Sequence, residues 1–247
     1  MPSLLKSFKL SGMVGAFDLF HSLDHNEDVE LLALAPKPTA PIYVTIPNGR
    51  RVPQYAPTAR TSVSGFNPSL DCDGNFASSK FQPNNNCYNY ACNIATSSFA
   101  QPGRLHGQLL DGPPDGETVA NGAVLDGLVR LDAANVTMAQ LRSAIPDATR
   151  GHFVALLISQ PDHVLGWPGD YHWVRSDDRQ TNSSWSQKDG GDQVTNFDFA
   201  GAPIPDPREA NWIVNQGPII SGNPNDIYVS YEFFCFMFVP DDSTDII

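Results

Sequence analysis

The chain has little positive charge and no run of it. Lys and Arg number 15 against 27 Asp and Glu, giving a formal net charge of −12. Phosphate backbones are repelled by such a surface, which argues against nucleic acid as a partner. No apolar stretch approaches the roughly 20 residues of a membrane-spanning helix. Cysteine is scarce too: Cys72, Cys87, Cys92 and Cys235 are the four in 247 residues, too few for a disulfide scaffold of this size. Free thiols are the expectation, although a bridge from Cys72 to Cys87 or Cys92 stays open. No Gly-rich phosphate loop leads into a helix and no zinc-like spacing occurs, so neither a cofactor nor a metal is indicated. His21 and His25 stand four apart, but no Glu follows His21 as a metalloprotease helix requires. Asp71-Cys-Asp-Gly-Asn75 resembles half of a calcium loop, lacks the remaining ligands, and reads as an Asx-rich turn.

Turn formers, by contrast, are plentiful. Pro 21 and Gly 19 imply many turns and few long helices, while 41 % hydrophobic residues supply a sizeable core. Residues 1–57 read as an extension or arm. Prolines at 36, 38 and 41 mark a connector, and Pro41–Ile46 is a strand closed by Asn48-Gly49. Residues 58–247 read as the main domain. Loop is expected from Thr58 to Asn86, then a helix from Cys87 to Thr96. A helix or an irregular segment follows over Val119–Leu131, and a better helix over Thr137–Ile145. Gly151–Ile158 is a nearly continuous apolar run suited to a strand buried on both faces. Strands are also expected at Tyr171–Ser176, at Ser183–Lys188 and over the aromatic-rich Ile227–Val239.

Chemistry concentrates in Phe81-Gln-Pro-Asn-Asn-Asn-Cys-Tyr-Asn-Tyr-Ala-Cys-Asn93. Turn-forming residues end at Asn86 and deliver Cys87 to the first turn of a helix, where unpaired N–H groups and the helix dipole lower a thiol's pKa. Cys87 is the candidate nucleophile; its plain alternative is a small side chain covering the helix end. The candidate base is His172 in Gly169-Asp-Tyr-His-Trp-Val-Arg-Ser176, with His152 as its rival. A turn at Arg179–Asn182 pairs strand residues whose numbers sum near 361. That puts Asp189 opposite His172 and Gln187 diagonal to it, so either orients the histidine. Asn86 and Gln82 are available to hold an oxyanion beside the Cys87 N–H. Trp167, Trp173, Trp185 and Trp212 cluster in this half, either in the core or lining a groove.

A cysteine opening a helix, then a buried strand, then a histidine opening a later strand resembles the papain-like cysteine hydrolases, with the NlpC/P60 and CHAP amidase branches nearest in size and order. The resemblance spans roughly residues 80–190. It implies an α+β fold with the cysteine-bearing helix packed on an antiparallel sheet. It also implies a peptidase or amidase that cleaves amide bonds through a thioester on Cys87, with a peptide or peptidoglycan-like substrate. Tyr88 departs from the small residue that often follows the nucleophile in those enzymes. The alternative is a noncatalytic recognition or structural module of a virion, toxin or surface, in which the Asn-rich loop and the tryptophans recognise a partner and the cysteine packs. Lys6 and Lys9 precede an apolar run that Asp18 interrupts, with no cleavage site after it. Cytoplasmic synthesis without a cleaved signal peptide is therefore expected, with export by a specialised route or release by lysis.

Overall fold

The computed structural model describes residues 40–60, 76, 82–131, 136–145, 150–178, 181–217 and 226–247. The His21/His25 pair, the Asp71–Asn75 turn and the Cys72 pairing lie outside these residues.

Two strands come first, β1 (Ile42–Thr45) and β2 (Arg51–Gln54), paired antiparallel as a ribbon. The Asn48-Gly49 turn forms because Gly49 takes φ 84° and its N–H reaches the Ile46 carbonyl at 2.8 Å. β3 (Ala59–Arg60) follows, then α1 (Cys87–Cys92) and β4 (Ile94–Ala95), which pairs with β3. Next come α2 (Gly116–Leu125), β5 (Val129–Leu131) and α3 (Met138–Leu141). The remaining strands are β6 (Gly151–Ser159), β7 (Asp170–Ser176), β8 (Trp185–Lys188), β9 (Val194–Thr195), β10 (Ile213–Asn215), β11 (Tyr228–Ser230) and β12 (Glu232–Pro240).

Six of these form the central sheet in the order β5-β12-β6-β7-β8-β9, every pair antiparallel. β6 is buried along its whole length. Its alternate residues serve two cores, Val154, Leu156 and Ile158 on one face and Phe153, Ala155 and Leu157 on the other. α1 and α2 cover the first face. The β10–β11 hairpin covers the second through Val214 and Val229. The sequence's expected single strand at Ile227–Val239 is instead two, because Tyr231 breaks the run between β11 and β12.

The papain-like α+β expectation is corrected here. The fold is mostly β, and α2, at 10 residues, is the one α-helix longer than seven among those described. The cause lies in residue chemistry. α1 stops after 6 residues because Asn93 takes a left-handed φ of 60° and its N–H turns back to Asn89 and Tyr90. The expected extension of α1 to Thr96 is β4 instead. α3 is opened by Thr137, whose hydroxyl and N–H exchange hydrogen bonds with Gln140. It tightens into a 3-10 turn over Arg142–Ala144. None of the described helices is long and apolar enough to cross a membrane.

Candidate functional site

Asn86, expected to help hold an oxyanion, is the N-cap of α1. Its side-chain oxygen accepts the Asn89 N–H at 3.1 Å, and the Asn89 side chain accepts the Asn86 N–H at 3.1 Å. Cys87 therefore begins the helix as expected, but inside the protein. It is fully buried against Tyr171 and Trp173 of β7 in the α-helical core. Burial pushes its thiol well above the ordinary range. The Asp170 and Asp189 carboxylates add to this, while a backbone hydrogen bond from Trp173 and the Lys188 ammonium offset part of it. The helix terminus was expected to lower this pKa. A six-residue helix has little dipole, and desolvation outweighs it.

His172 projects from the opposite face of the same strand. Tyr171 and Trp173 point toward α1. His172 points into an aromatic cluster, with ring centroids 5.6 Å from Phe199, 6.0 Å from Trp212 and 6.0 Å from Tyr231. The sheet itself stands between Cys87 and His172, so the fold does not bring the proposed nucleophile and base together. The hairpin register has paired numbers summing to 361, as in Val174 with Gln187 and Arg175 with Ser186. His172 Nε2 lies 2.6 Å from Gln187 Oε1, and the Gln187 amide donates to the Phe197 carbonyl at 2.8 Å. An amide oxygen only accepts, so Nε2 carries the imidazole proton and donates it. Burial holds the His172 pKa down to about 4, leaving the ring neutral near pH 7.

The other candidates are placed as follows. Asp189 lies just beyond β8 and acts electrostatically on Cys87 and Lys188 rather than on His172. Asn86 spends its amide N–H on the Ala100 carbonyl at 2.8 Å. Gln82 contributes its backbone carbonyl, which accepts from Lys188 Nζ at 2.8 Å. The rival His152 holds the Ala91 carbonyl at the end of α1, 2.6 Å from its Nε2. His152 and Cys92 also line a depression of about 300 Å³. Among the described residues no group of three or more His, Cys, Asp or Glu is arranged to hold a metal ion.

Sequence reasoning missed the groups that organise this region. Lys188 is fully buried, with Nζ bonded to the Gln82 and Gly190 carbonyls at 2.8 and 2.7 Å. Burial lowers its pKa to about 7, against the raising pull of Cys87, Asp192 and Asp189. Arg175, also fully buried, donates to Asn93 Oδ1 and to the Tyr90 hydroxyl, both at 2.6 Å, with its guanidinium 3.8 Å over the Tyr90 ring. Tyr90 continues to Ser186 at 2.7 Å, and Ser186 to Asp177 at 2.6 Å. Asp126 is buried below α1, accepting from the Tyr88 hydroxyl and the Gly103 N–H, each at 2.8 Å. The only sequence signal for these was the alternation of Ser186 with Lys188 and of Trp173 with Arg175 along strands. The arrangement pins α1 to the sheet and presents no accessible nucleophile. The four tryptophans are all in the two cores, and Asn85, Asn86 and Asn89 are buried. The tryptophans thus take the core reading rather than the groove-lining one.

No family model and no solved structure matches the chain. Insoluble matrix shell protein 1 of Ruditapes philippinarum is 38 % identical to it over 154 residues, covering 62 % of this chain and 84 % of that protein. The chain belongs to the insoluble matrix shell protein 1 family. Membership corrects the hydrolase, peptidase and peptidoglycan expectations. The relative is by name a matrix component, and nothing about this family member's Cys87 or His172 supplies the missing chemistry.

Proposed function

We propose that the chain is a noncatalytic structural component of an insoluble extracellular matrix of the shell type. The observation that carries this reading is the 38 % identity to insoluble matrix shell protein 1 across most of that protein's length. Supporting it, Cys87 and His172 are buried on opposite faces of one sheet, and Asn86, Arg175 and Lys188 near α1 are held in internal hydrogen bonds. A matrix component acts outside the cell, so the reading includes export after synthesis. The test is peptide mass spectrometry on the source organism's tissues, separating cell extract from the acid-insoluble residue of its shell or skeleton. The chain is expected in the insoluble residue. Peptides confined to the cytosolic extract would overturn the reading.

A further inference from the structure

Asp126, which caps the end of α2, is a buried carboxylate with one oxygen in use and one spare. Oδ2 accepts from the Tyr88 hydroxyl and the Gly103 N–H. Oδ1 accepts no hydrogen bond among the described residues. His106 Nε2 stands 3.6 Å from that spare oxygen, just beyond a hydrogen bond. The carboxyl is fully buried while the His106 side chain is 42 % exposed, so the pair meets solvent through the imidazole. Both residues lie on segments that hold residues 244–247 and the ribbon. The Gln101 N–H and Arg104 Nε donate to the Ile247 carbonyl at 3.1 and 3.0 Å, and the Asp245 N–H donates to the Asp126 carbonyl at 2.9 Å. Ile247 packs with Ile46 and Val52, and Leu105, next to His106, packs against them. The 3-10 turn Arg104–His106 ends at Gly107, whose carbonyl accepts from the Asn48 side chain of the ribbon at 3.2 Å.

We propose that His106 and Asp126 form a proton-operated clasp that holds residues 244–247 and the β1–β2 ribbon onto the rest of the fold, closed while the imidazole is charged and loosened when it is neutral. Imidazoles change charge between about pH 5 and 8. The charged ring supplies the counter-ion that a buried carboxylate needs, and the neutral ring withdraws it. Burial pushes the Asp126 pKa up to about 7, offset in part by the Gly103 N–H, the Tyr88 hydroxyl and the Arg104 guanidinium, with Asp245 adding to the rise. Both partners move the balance in one direction. A carboxyl raised above its ordinary 3.8 contributes stability that is lost as pH climbs from about 4 to about 7, and the imidazole discharges over the upper part of that range. The neighbouring groups keep one form there. Burial holds Tyr88, Cys92 and Tyr171 well above their ordinary ranges, and Arg104, lowered by burial to about 10, stays a cation. Asp245 pairs with Arg60, and Arg50 on the ribbon pairs with Asp111.

Hydrogen–deuterium exchange of the full chain tests it, read by peptide mass spectrometry across about pH 5 to 9 and corrected for the intrinsic pH dependence of amide exchange. Exchange in β6, buried along its whole length, reports opening of the whole fold and serves as the reference. Relative to β6, peptides covering residues 42–54 and 244–247 should exchange about fivefold faster above the imidazole range than below it. His106→Lys, charged throughout, should keep the slow exchange to high pH. His106→Gln, never charged, should move the acceleration toward lower pH. Both variants alter a half-exposed side chain, and circular dichroism verifies that they fold. Asp126→Asn, neutral at every pH, should remove the response and stands in should either His106 variant fail. Ribbon exchange that does not change with pH relative to β6 overturns the clasp, as does a pH response that is the same in the unaltered chain and in both His106 variants.

Discussion

The two faces of β7 are built from the same seven residues and obey different chemistry. Toward α1, Trp173 and Arg175 meet Cys87, Tyr90 and Asn93, and polar groups are tied by short hydrogen bonds. Toward the β10–β11 hairpin, His172 and Val174 meet Phe199, Trp212 and Tyr231, and a single amide contact satisfies the imidazole proton. Burying a polar group costs free energy unless it is bonded, and the consequences of removing a partner differ between the two faces. On the first face a deletion strands several partners. On the second it strands one.

The largest expected effect comes from breaking the first face. Arg175→Ala should lower unfolding free energy in urea by about 3–5 kcal/mol, because Asp177 and the Tyr90 and Asn93 contacts lose a buried cation. The second face is sharpened by pH. The folded His172 pKa of about 4 lies below its unfolded value near 6.5, so the unfolded chain binds more protons between those values. Stability is full above about pH 6.5 and falls as pH drops toward 4, by about 3 kcal/mol in all. His172→Phe should flatten that acid limb in pH-dependent denaturation. Lys188, on the α1 face, runs the same way in another window. Its folded value near 7 lies below the ordinary 10.5, so stability rises with pH from about 7 upward, and Lys188→Met should abolish that rise. A cap deletion is smaller still: Asn86→Ala should cost about 1–2 kcal/mol through the lost N-terminal bond and the Ala100 contact. The smallest signal is at Cys87 itself. Iodoacetamide should leave it unlabelled in the native protein near neutral pH, like buried Cys92 and Cys235, and label all three only on unfolding.

Local rules were legible in the sequence and facing was not. The Gly151–Ile158 run announced a doubly buried strand, the helix start at Cys87 followed from the turn formers that end at Asn86, and the β7–β8 register with numbers summing to 361 followed from turn position. Whether α1 would lie on the side of Trp173 or of His172 depended on which face the β10–β11 hairpin took, a long-range choice with no local signature. A period of two makes that choice decisive, since moving one residue along β7 crosses the sheet. Burial of Lys188 and Arg175 was equally hidden, because their partners are backbone carbonyls and side chains distant in the chain.

Strand order carries a consequence for synthesis. β12, which follows the other described strands in the chain, lies between β5 and β6, the two strands that flank it having been completed many residues earlier. While the ribosome is still translating residues 151–231, the apolar β6 therefore has one bonding edge without its permanent neighbour. That edge closes only after Glu232–Pro240 emerges. The nascent chain must travel some distance with an adhesive seam uncovered, and shielding it until then falls to chaperones or to slow, dilute synthesis.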